Sequence, residues 1–453
     1  MATTHYDLLI LGAGSGNMLP GDATIDWRIG IVEPDRFGGT CLNRGCIPSK
    51  MFVYAADMAE HVRHAHLYGV DAHVDGVDWP AIRDRVFERI DPLHERAVEY
   101  RRSNGIDVHL GAARFLDLRT VEVDGQRLTA DRVLVAAGSR PLVPDIPGLD
   151  DVPFHTSDTI MRLDALPESM LVIGGGFIAA EMSHIFGGLG TRITIVNRSD
   201  RLLTSHDHEV SEAFTSRYRE RFDLVLDSQV AHIRQDGDQS VATLTTPDGT
   251  REVRADTVLV ATGRRPNTDV LDVEAGGMRL DEHEHVVTDD TYLTDAEATW
   301  SIGDVTNHFQ LKHMANAETR LVLRNMLHPD RPAHSPFGRA PSAVFADPQV
   351  ATAGATEQEL RDADRAYLCS TRHYRTTAYG WAMEDTTSFA KVLADPDTRL
   401  LLGAHIVGPQ ASTLIQTLVQ AMALGNTVDQ LAREVIYVHP ALTEVIENAL
   451  LEL

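Results

Sequence analysis

Two of the three cysteines, Cys41 and Cys46, fall in the run GGTCLNRGCIPSK, with four residues between them and Lys50 close behind. Lysine is rare in this chain: Lys50, Lys312 and Lys391 stand against 38 arginines. The run therefore gathers two scarce and reactive side-chain types within ten positions. Three chemistries compete for it. As zinc ligands the cysteines lack a second close pair, and Cys369 stands alone in a strand-like run. As buried thiols they would be inert. As a redox disulfide they need Cα atoms within about 7 Å, whereas five steps of regular helix rise about 7.5 Å. A disulfide thus requires a distorted turn at a helix start, to which Gly45 and Pro48 would contribute. A thiol at a helix N-terminus also has its thiolate form favoured, the form that exchanges with disulfides.

The elements around this run supply the context. YDLLILG, residues 6–12, reads as a buried strand ending in GAGSGN, and WRIGIVE reads as a second strand ending at Glu33. Glycines there would let backbone approach a pyrophosphate, and the acid about 20 residues on would take a ribose. The third fingerprint slot is Asn17 instead of Gly or Ala, and Pro20-Gly21 should cut the following helix short. The pattern returns in MLVIGGGFIAAE with Gly174, Gly176 and Ala179, followed by an uninterrupted helix and a strand to Val196. Two such fingerprints about 160 residues apart imply two dinucleotide sites. The strand-plus-turn RVLVAAGSRP recurs as TVLVATGRRP, residues 236–250 read as antiparallel hairpins, and TWSIGDV reads as a strand ending at Asp304. From about 340 the fingerprints stop, and a helix with Leu414, Ile415, Leu418, Val419 and Met422 on one face is expected to start at an N-cap Ser412.

Composition narrows the classes further. With 43% apolar and 24% charged residues the chain is globular, and a formal charge of −25 opposes nucleic acid and anionic membrane surfaces. No apolar run reaches bilayer length, no leader precedes Tyr6, and three cysteines make no secreted disulfide framework, so a cytoplasmic protein with no metal is expected.

Taken in order along essentially the whole chain, GGTCLNRGCIPSK, the two fingerprints, the GD of SIGDV and the ending VHPALTE resemble the pyridine nucleotide–disulfide oxidoreductases, flavoenzymes that include glutathione reductase and lipoamide dehydrogenase. The resemblance implies an α/β fold of two Rossmann-like domains plus a C-terminal α+β dimerisation domain. Its expected boundaries are an FAD-binding domain at 1–148, an NADPH-binding domain at 149–272, a central segment at 273–335 completing the FAD site, and an interface domain at 336–453. FAD would be held by Gly12, Gly14, Ser15, Glu33, Gly39, Thr40, Lys50, Ala113, Gly303 and Asp304. The nicotinamide nucleotide would lie on Gly174, Gly176, Phe177, Ile178, Glu181, Asn197, Arg198 and Gly263. Lys50 would pair with Glu181 beside the flavin, Cys46 would be the flavin-side thiol, and Cys41 would attack a small-molecule disulfide substrate. His439, oriented by Glu444, would be the acid–base, reaching the other subunit of a homodimer.

Two finer expectations follow. The position where NAD enzymes carry an acid holds Asn197, followed by Arg198 with Arg201 nearby, which favours NADPH over NADH. After the first fingerprint NMLPG offers no basic residue, in contrast to glutathione reductases, so the substrate should lack carboxylates. Tyr379 and Trp381 suit either a sugar-bearing substrate or a core. A lipoamide dehydrogenase and an NADPH-binding redox sensor without turnover remain the competing functions.

Overall fold

A computed structural model describes residues 3–336, 338 and 340–453. The chain divides into two compact units. The first comprises Met1–Pro48, Arg83–Leu142 and Gly263–Gly338, the second Ser49–Ile82, Val143–Thr262 and Arg339–Leu453.

The first unit is built on a seven-stranded sheet. Strands Asp107–Leu110, Ile29–Glu33, Thr3–Leu11 and Gln126–Val135 lie side by side in parallel, with Thr299–Ser301 alongside the last. Ala113–Asp117 and Thr120–Val123 add an antiparallel meander. Leu8 to Leu11 and Ile29 to Glu33 are buried on both faces, the near-continuous apolar run a covered parallel sheet requires. Two apolar clusters flank the sheet. One is centred on Leu9, Phe115 and Val133, the other on Leu8, Ile31 and Val322. The repeated segments Ser139–Pro141 and Arg264–Pro266 pair antiparallel with each other. Thr299–Ser301 ends before Asp304, which sits in a 3-10 turn at Gly303–Val305 instead of terminating the strand as the sequence suggested. The backbone leaves the sheet there because the Gly303 N–H turns to the buried Glu318 carboxylate, 2.7 Å away.

The second unit holds a five-stranded parallel sheet in the order Asp223–Val225, Arg192–Val196, Ser169–Ile173, Thr257–Val260, Phe154–His155. Hairpins formed by Gln229–Asp236, Gln239–Thr246 and Gly249–Ala255 match the antiparallel reading of residues 236–250. A further antiparallel sheet of five strands between Ser342 and Val407 carries the helices Ala411–Leu424 and Thr443–Leu451 around its own core. Leu414, Ile415 and Leu418 are buried there as their spacing predicts. Ser412 is not the N-cap. The chain enters that helix through Gln410 in the left-handed region (φ 60°), and the Ser412 hydroxyl donates to Gln349 Oε1 at 3.2 Å. Among the described residues no helix is long and apolar enough to cross a membrane, and no cluster of metal-ligating side chains forms.

Candidate functional site

The cysteine run folds as a broken helix. Cys41 lies in the short helix Gly39–Asn43, Arg44 leaves helical geometry at φ −152°, ψ 16°, and Cys46 opens the helix Cys46–His64. Gly45 sits in the break, where a Cβ would come within 2.9 Å of the Thr40 carbonyl oxygen. Pro48 falls in the first turn of the second helix, where its missing N–H costs nothing. The kink brings the two side chains into hydrogen-bond contact, and both are free thiols. The hydrogen bond to Cys46, then burial, then the Cys46 charge push the Cys41 thiol up, so the two thiols do not ionise independently. Asn43, which the sequence reading missed, ties the turn down. Its buried amide donates to the carbonyls of Arg36, Phe37 and Gly39 at 3.2, 3.2 and 2.9 Å.

The first glycine turn lies beneath this break. A Cβ on Gly39 would meet Gly14 Cα at 2.8 Å. Gly12 has φ +109°, and a Cβ there would strike the Ala136 carbonyl oxygen at 2.3 Å, so only glycine closes the turn. Glu33 ends its strand buried, accepting from the Ala13 N–H at 2.8 Å and the Asp35 N–H at 3.1 Å, and burial pushes its carboxyl up. Pro20-Gly21 leaves only 3-10 turns where the first helix would run. Side chains replace the lost helix. Ser15 donates to Asn316 Oδ1 at 2.9 Å, Thr319 donates to the Ser15 carbonyl at 3.3 Å, and Arg101 grips Asn17 through Oδ1 at 2.8 Å and the carbonyl at 2.6 Å. Asn17 in the third slot is thus the acceptor for Arg101. Thr40 closes the short helix by accepting from the Arg44 N–H at 2.9 Å. Ala113 is buried at the start of its strand, and Asp304 accepts from Ser139 Oγ at 2.8 Å. These residues fit FAD: an added Cβ at Gly14 meets no atom within 4 Å, leaving room for a pyrophosphate, and Glu33 stands where a ribose acid belongs.

In the second unit Gly174 repeats the first turn, with φ +127° and a Cβ that would fall 2.2 Å from the Ala261 carbonyl oxygen. Gly176 caps the helix Phe177–Gly188 with open space at its Cβ, Phe177 is exposed, and Ile178 is half-buried. Glu181 is buried and takes the Lys50 ammonium on both oxygens at 2.6 Å and the Phe345 N–H at 3.0 Å. Farther along the 46–64 helix, Asp57 accepts from His184 on the second fingerprint helix at 2.8 Å and Glu60 from Arg221 on the helix His208–Arg221 at 3.2 Å, which anchors its later turns. The Asn197 side chain covers Gly175 and donates to the Arg201 carbonyl at 2.9 Å, while Arg201 pairs with Asp200 at 3.1 Å. Arg198 is exposed, and none of the described residues gives it an ion-pair partner. Arg201 is thus engaged locally, whereas Arg198 is open to solvent. Gly263, between the strands Thr257–Val260 and Arg264–Pro266, adopts φ +120°.

Near the C-terminus His439 Nδ1 lies 2.7 Å from Glu444 Oε1, and Glu444 Oε2 also accepts from the Ala441 N–H at 3.3 Å. The contact leaves Nε2 of an exposed imidazole for chemistry. Just before it, Ile436 and Val438 are 96% and 70% exposed, an apolar segment of the kind that marks a protein interface. Tyr379 and Trp381 are exposed instead of buried in a core, and Trp381 Nε1 donates to the Arg375 carbonyl at 2.7 Å.

The chain is similar to known proteins along nearly its whole length. The family described as pyridine nucleotide-disulphide oxidoreductase matches residues 6–319, and its dimerisation domain matches residues 340–450. Mycothione reductase of Mycobacterium tuberculosis is 42% identical over 99% of both chains. Dihydrolipoyl dehydrogenase of Haloferax volcanii is 34% identical over 99% of this chain and 97% of its own. Among solved structures, the HOCl-induced flavoprotein disulfide reductase RclA of Escherichia coli superposes with a TM-score of 0.87 at 25% identity, covering 98% of this chain and 99% of that one.

Proposed function

Since the chain belongs to the pyridine nucleotide–disulphide oxidoreductase family, whose cofactors here are FAD and NADPH, we propose that it is a cytoplasmic, homodimeric reductase of mycothione, the disulfide of mycothiol. The observation that carries the reaction is the Cys41–Cys46 dithiol held in hydrogen-bond contact at the helix break. The substrate rests on the 42% identity to mycothione reductase over the full length, together with the absence of a basic residue in residues 17–21. In this reading residues 1–148 and 273–335 carry FAD, 149–272 carry NADPH, and 336–453 form the dimer interface.

Bound FAD would supply the route by which the electron pair of NADPH opens the Cys41–Cys46 disulfide to one thiol and one thiolate. The chain's own residues then reduce the substrate. Cys41 gives its proton to His439 of the partner subunit and attacks one sulfur of the substrate. A mixed disulfide forms, and the first thiol leaves with the proton from that histidine. Glu444 holds the imidazole and balances its charge while it carries the proton. Cys46, the thiolate of the pair, next attacks Cys41 Sγ; the second half of the substrate leaves as a thiolate that takes its proton from solution, and the Cys41–Cys46 disulfide is restored. One NADPH and one proton are consumed for two thiols released. Neither competing function fits as well: Asn197 stands where an NAD-linked lipoamide dehydrogenase carries an acid, and a sensor without turnover gives the His439–Glu444 pair no role.

The test is NADPH oxidation by purified, FAD-loaded protein with and without mycothiol disulfide, beside the Cys41→Ser variant. Turnover only with that disulfide, abolished in Cys41→Ser while NADPH still bleaches the flavin, is the expected result. Turnover with dihydrolipoamide and NAD instead would overturn the substrate, and loss of FAD from Cys41→Ser would overturn the relay.

A further inference from the structure

Lys312 opens the helix Lys312–Leu327. One turn on, Asn316 and then Thr319 hydrogen-bond to Ser15, so the start of this helix leans on the first glycine turn. The helix that carries Cys41 begins on the same turn, where Gly39 abuts Gly14. The half-buried Lys312 ammonium consequently lies within electrostatic reach of Cys41, Cys46 and Asp304. Among the described residues no carboxylate comes within ion-pair distance of it, and Asp304 is occupied by the Ser139 hydroxyl at 2.8 Å. Lys50, the lysine of the sequence motif, is committed to Glu181 on both oxygens.

We propose that Lys312 is the counter-charge of the reduced cysteine pair, stabilising the single thiolate that Cys41 and Cys46 share. A buried ammonium without a carboxylate partner is costly, and a neighbouring thiolate relieves that cost. The electrostatics run both ways. Burial pulls the Lys312 ammonium down while Cys41, Cys46 and Asp304 pull it back up, and Lys312 in turn lowers the Cys41 thiol against the upward push of Cys46. Lys312 therefore presents a positive charge to the pair once the disulfide opens, and it favours the exchange-competent form. The inference rests on the reading of Cys41 and Cys46 as the redox pair.

The experiment uses FAD-loaded enzyme reduced with dithiothreitol and freed of it, in wild type, Lys312→Met and Lys312→Arg. Carbamidomethylation by iodoacetamide is followed at Cys41 and Cys46 by peptide mass spectrometry across pH. In Lys312→Met the midpoint should rise by about one unit, with alkylation at neutral pH about tenfold slower, and Lys312→Arg should return it toward wild type. Retained flavin absorbance checks the fold, and Lys312→Gln replaces the Met variant if it sheds flavin. Equal midpoints in wild type and the neutral variants would overturn the role of Lys312 while leaving the relay intact. Wild-type thiols that fail to react at all, together with absent turnover, would overturn the relay itself.

Discussion

The Lys50 ammonium is held by both oxygens of Glu181 at 2.6 Å, and the same carboxylate takes the Phe345 N–H at 3.0 Å. The ammonium also lies 4.6 Å from the centre of the Phe345 ring. One buried acid thereby fixes the lysine of the cysteine motif to the second fingerprint helix. Glu181→Ala should lower stability by about 2 kcal/mol, less than for a fully buried pair because the Lys50 side chain is 33% exposed. Glu181→Gln keeps the shape and the Phe345 bond and should cost less, yet both variants should slow flavin reduction by NADPH. Thermal unfolding and stopped-flow absorbance measure the two effects. Wild-type stability and rate in Glu181→Ala would show the pair to be idle.

Residues whose chemistry demands a fixed type at a fixed spacing were legible in the sequence. Cys41, Cys46, Lys50, Gly12, Gly174, Glu33, His439 and Glu444 all declare themselves by neighbours within a few positions, or within one strand–turn–strand unit. What the sequence concealed are contacts between distant segments. Arg101 reaches Asn17 across 84 positions and Asn316 reaches Ser15 across 301. No local pattern announces either, yet together they replace the helix that Pro20-Gly21 removes. Lys312 was missed for the same reason, whereas Asn43 binds carbonyls only four to seven positions before it, through a loop shape that no residue pattern spells out. The Ser412 N-cap failed differently: a capping residue was present, but Gln410 and Gly408, with a φ of +133°, set the entry to that helix.

His439 presents an exposed imidazole oriented by Glu444 at 2.7 Å. His439→Gln should lower kcat for disulfide reduction by about 10²- to 10⁴-fold, the range of a lost general acid–base. Flavin reduction by NADPH, which precedes the use of that proton, should be unchanged. Because the histidine is proposed to serve the partner, mixing Cys41→Ser and His439→Gln subunits should restore activity through hybrid dimers with one intact site. Hybrids as inactive as their parents would place His439 in its own subunit's site or outside the chemistry.

Arg198 stands exposed at the end of the second strand of the nucleotide fold, with Asn197 in place of the acid that would repel a 2′-phosphate. Arg198→Ala should raise KM for NADPH about tenfold, the worth of a partly solvated charge-assisted contact, and leave KM for NADH unchanged. Asn197→Glu should reverse the preference. Steady-state kinetics with both nucleotides decides it, and an equal effect on NADH and NADPH would remove Arg198 from phosphate recognition.

Lys391 is a fully buried ammonium, 2.6 Å from Glu357, 3.0 Å from Asp207 and 3.3 Å from Glu209. Burial works against the charge on Glu357, but the hydrogen bonds from Lys391 and Tyr367 prevail and hold its carboxyl down at about 2, from an ordinary 4.5. Asp207 is likewise held below its usual range, its hydrogen bonds and neighbouring charges outweighing burial. A carboxylate whose folded pKa is depressed contributes stability above its unfolded pKa and loses it as pH falls through the folded one. The contribution of this cluster is therefore complete above about pH 5 and fades toward pH 2. Lys391→Met leaves the carboxylates without their cation and should cost about 3 kcal/mol near neutrality. His206, held down at about 4 chiefly by burial, gains its proton in the same acid range, and the buried His405 is held down chiefly by burial and in part by Lys391 itself. The informative quantity is consequently the difference between wild type and variant. The gap between their thermal midpoints should narrow steadily as the pH is lowered from 5 toward 2, and a gap that stays constant would mean that packing, not charge, is what Lys391 contributes.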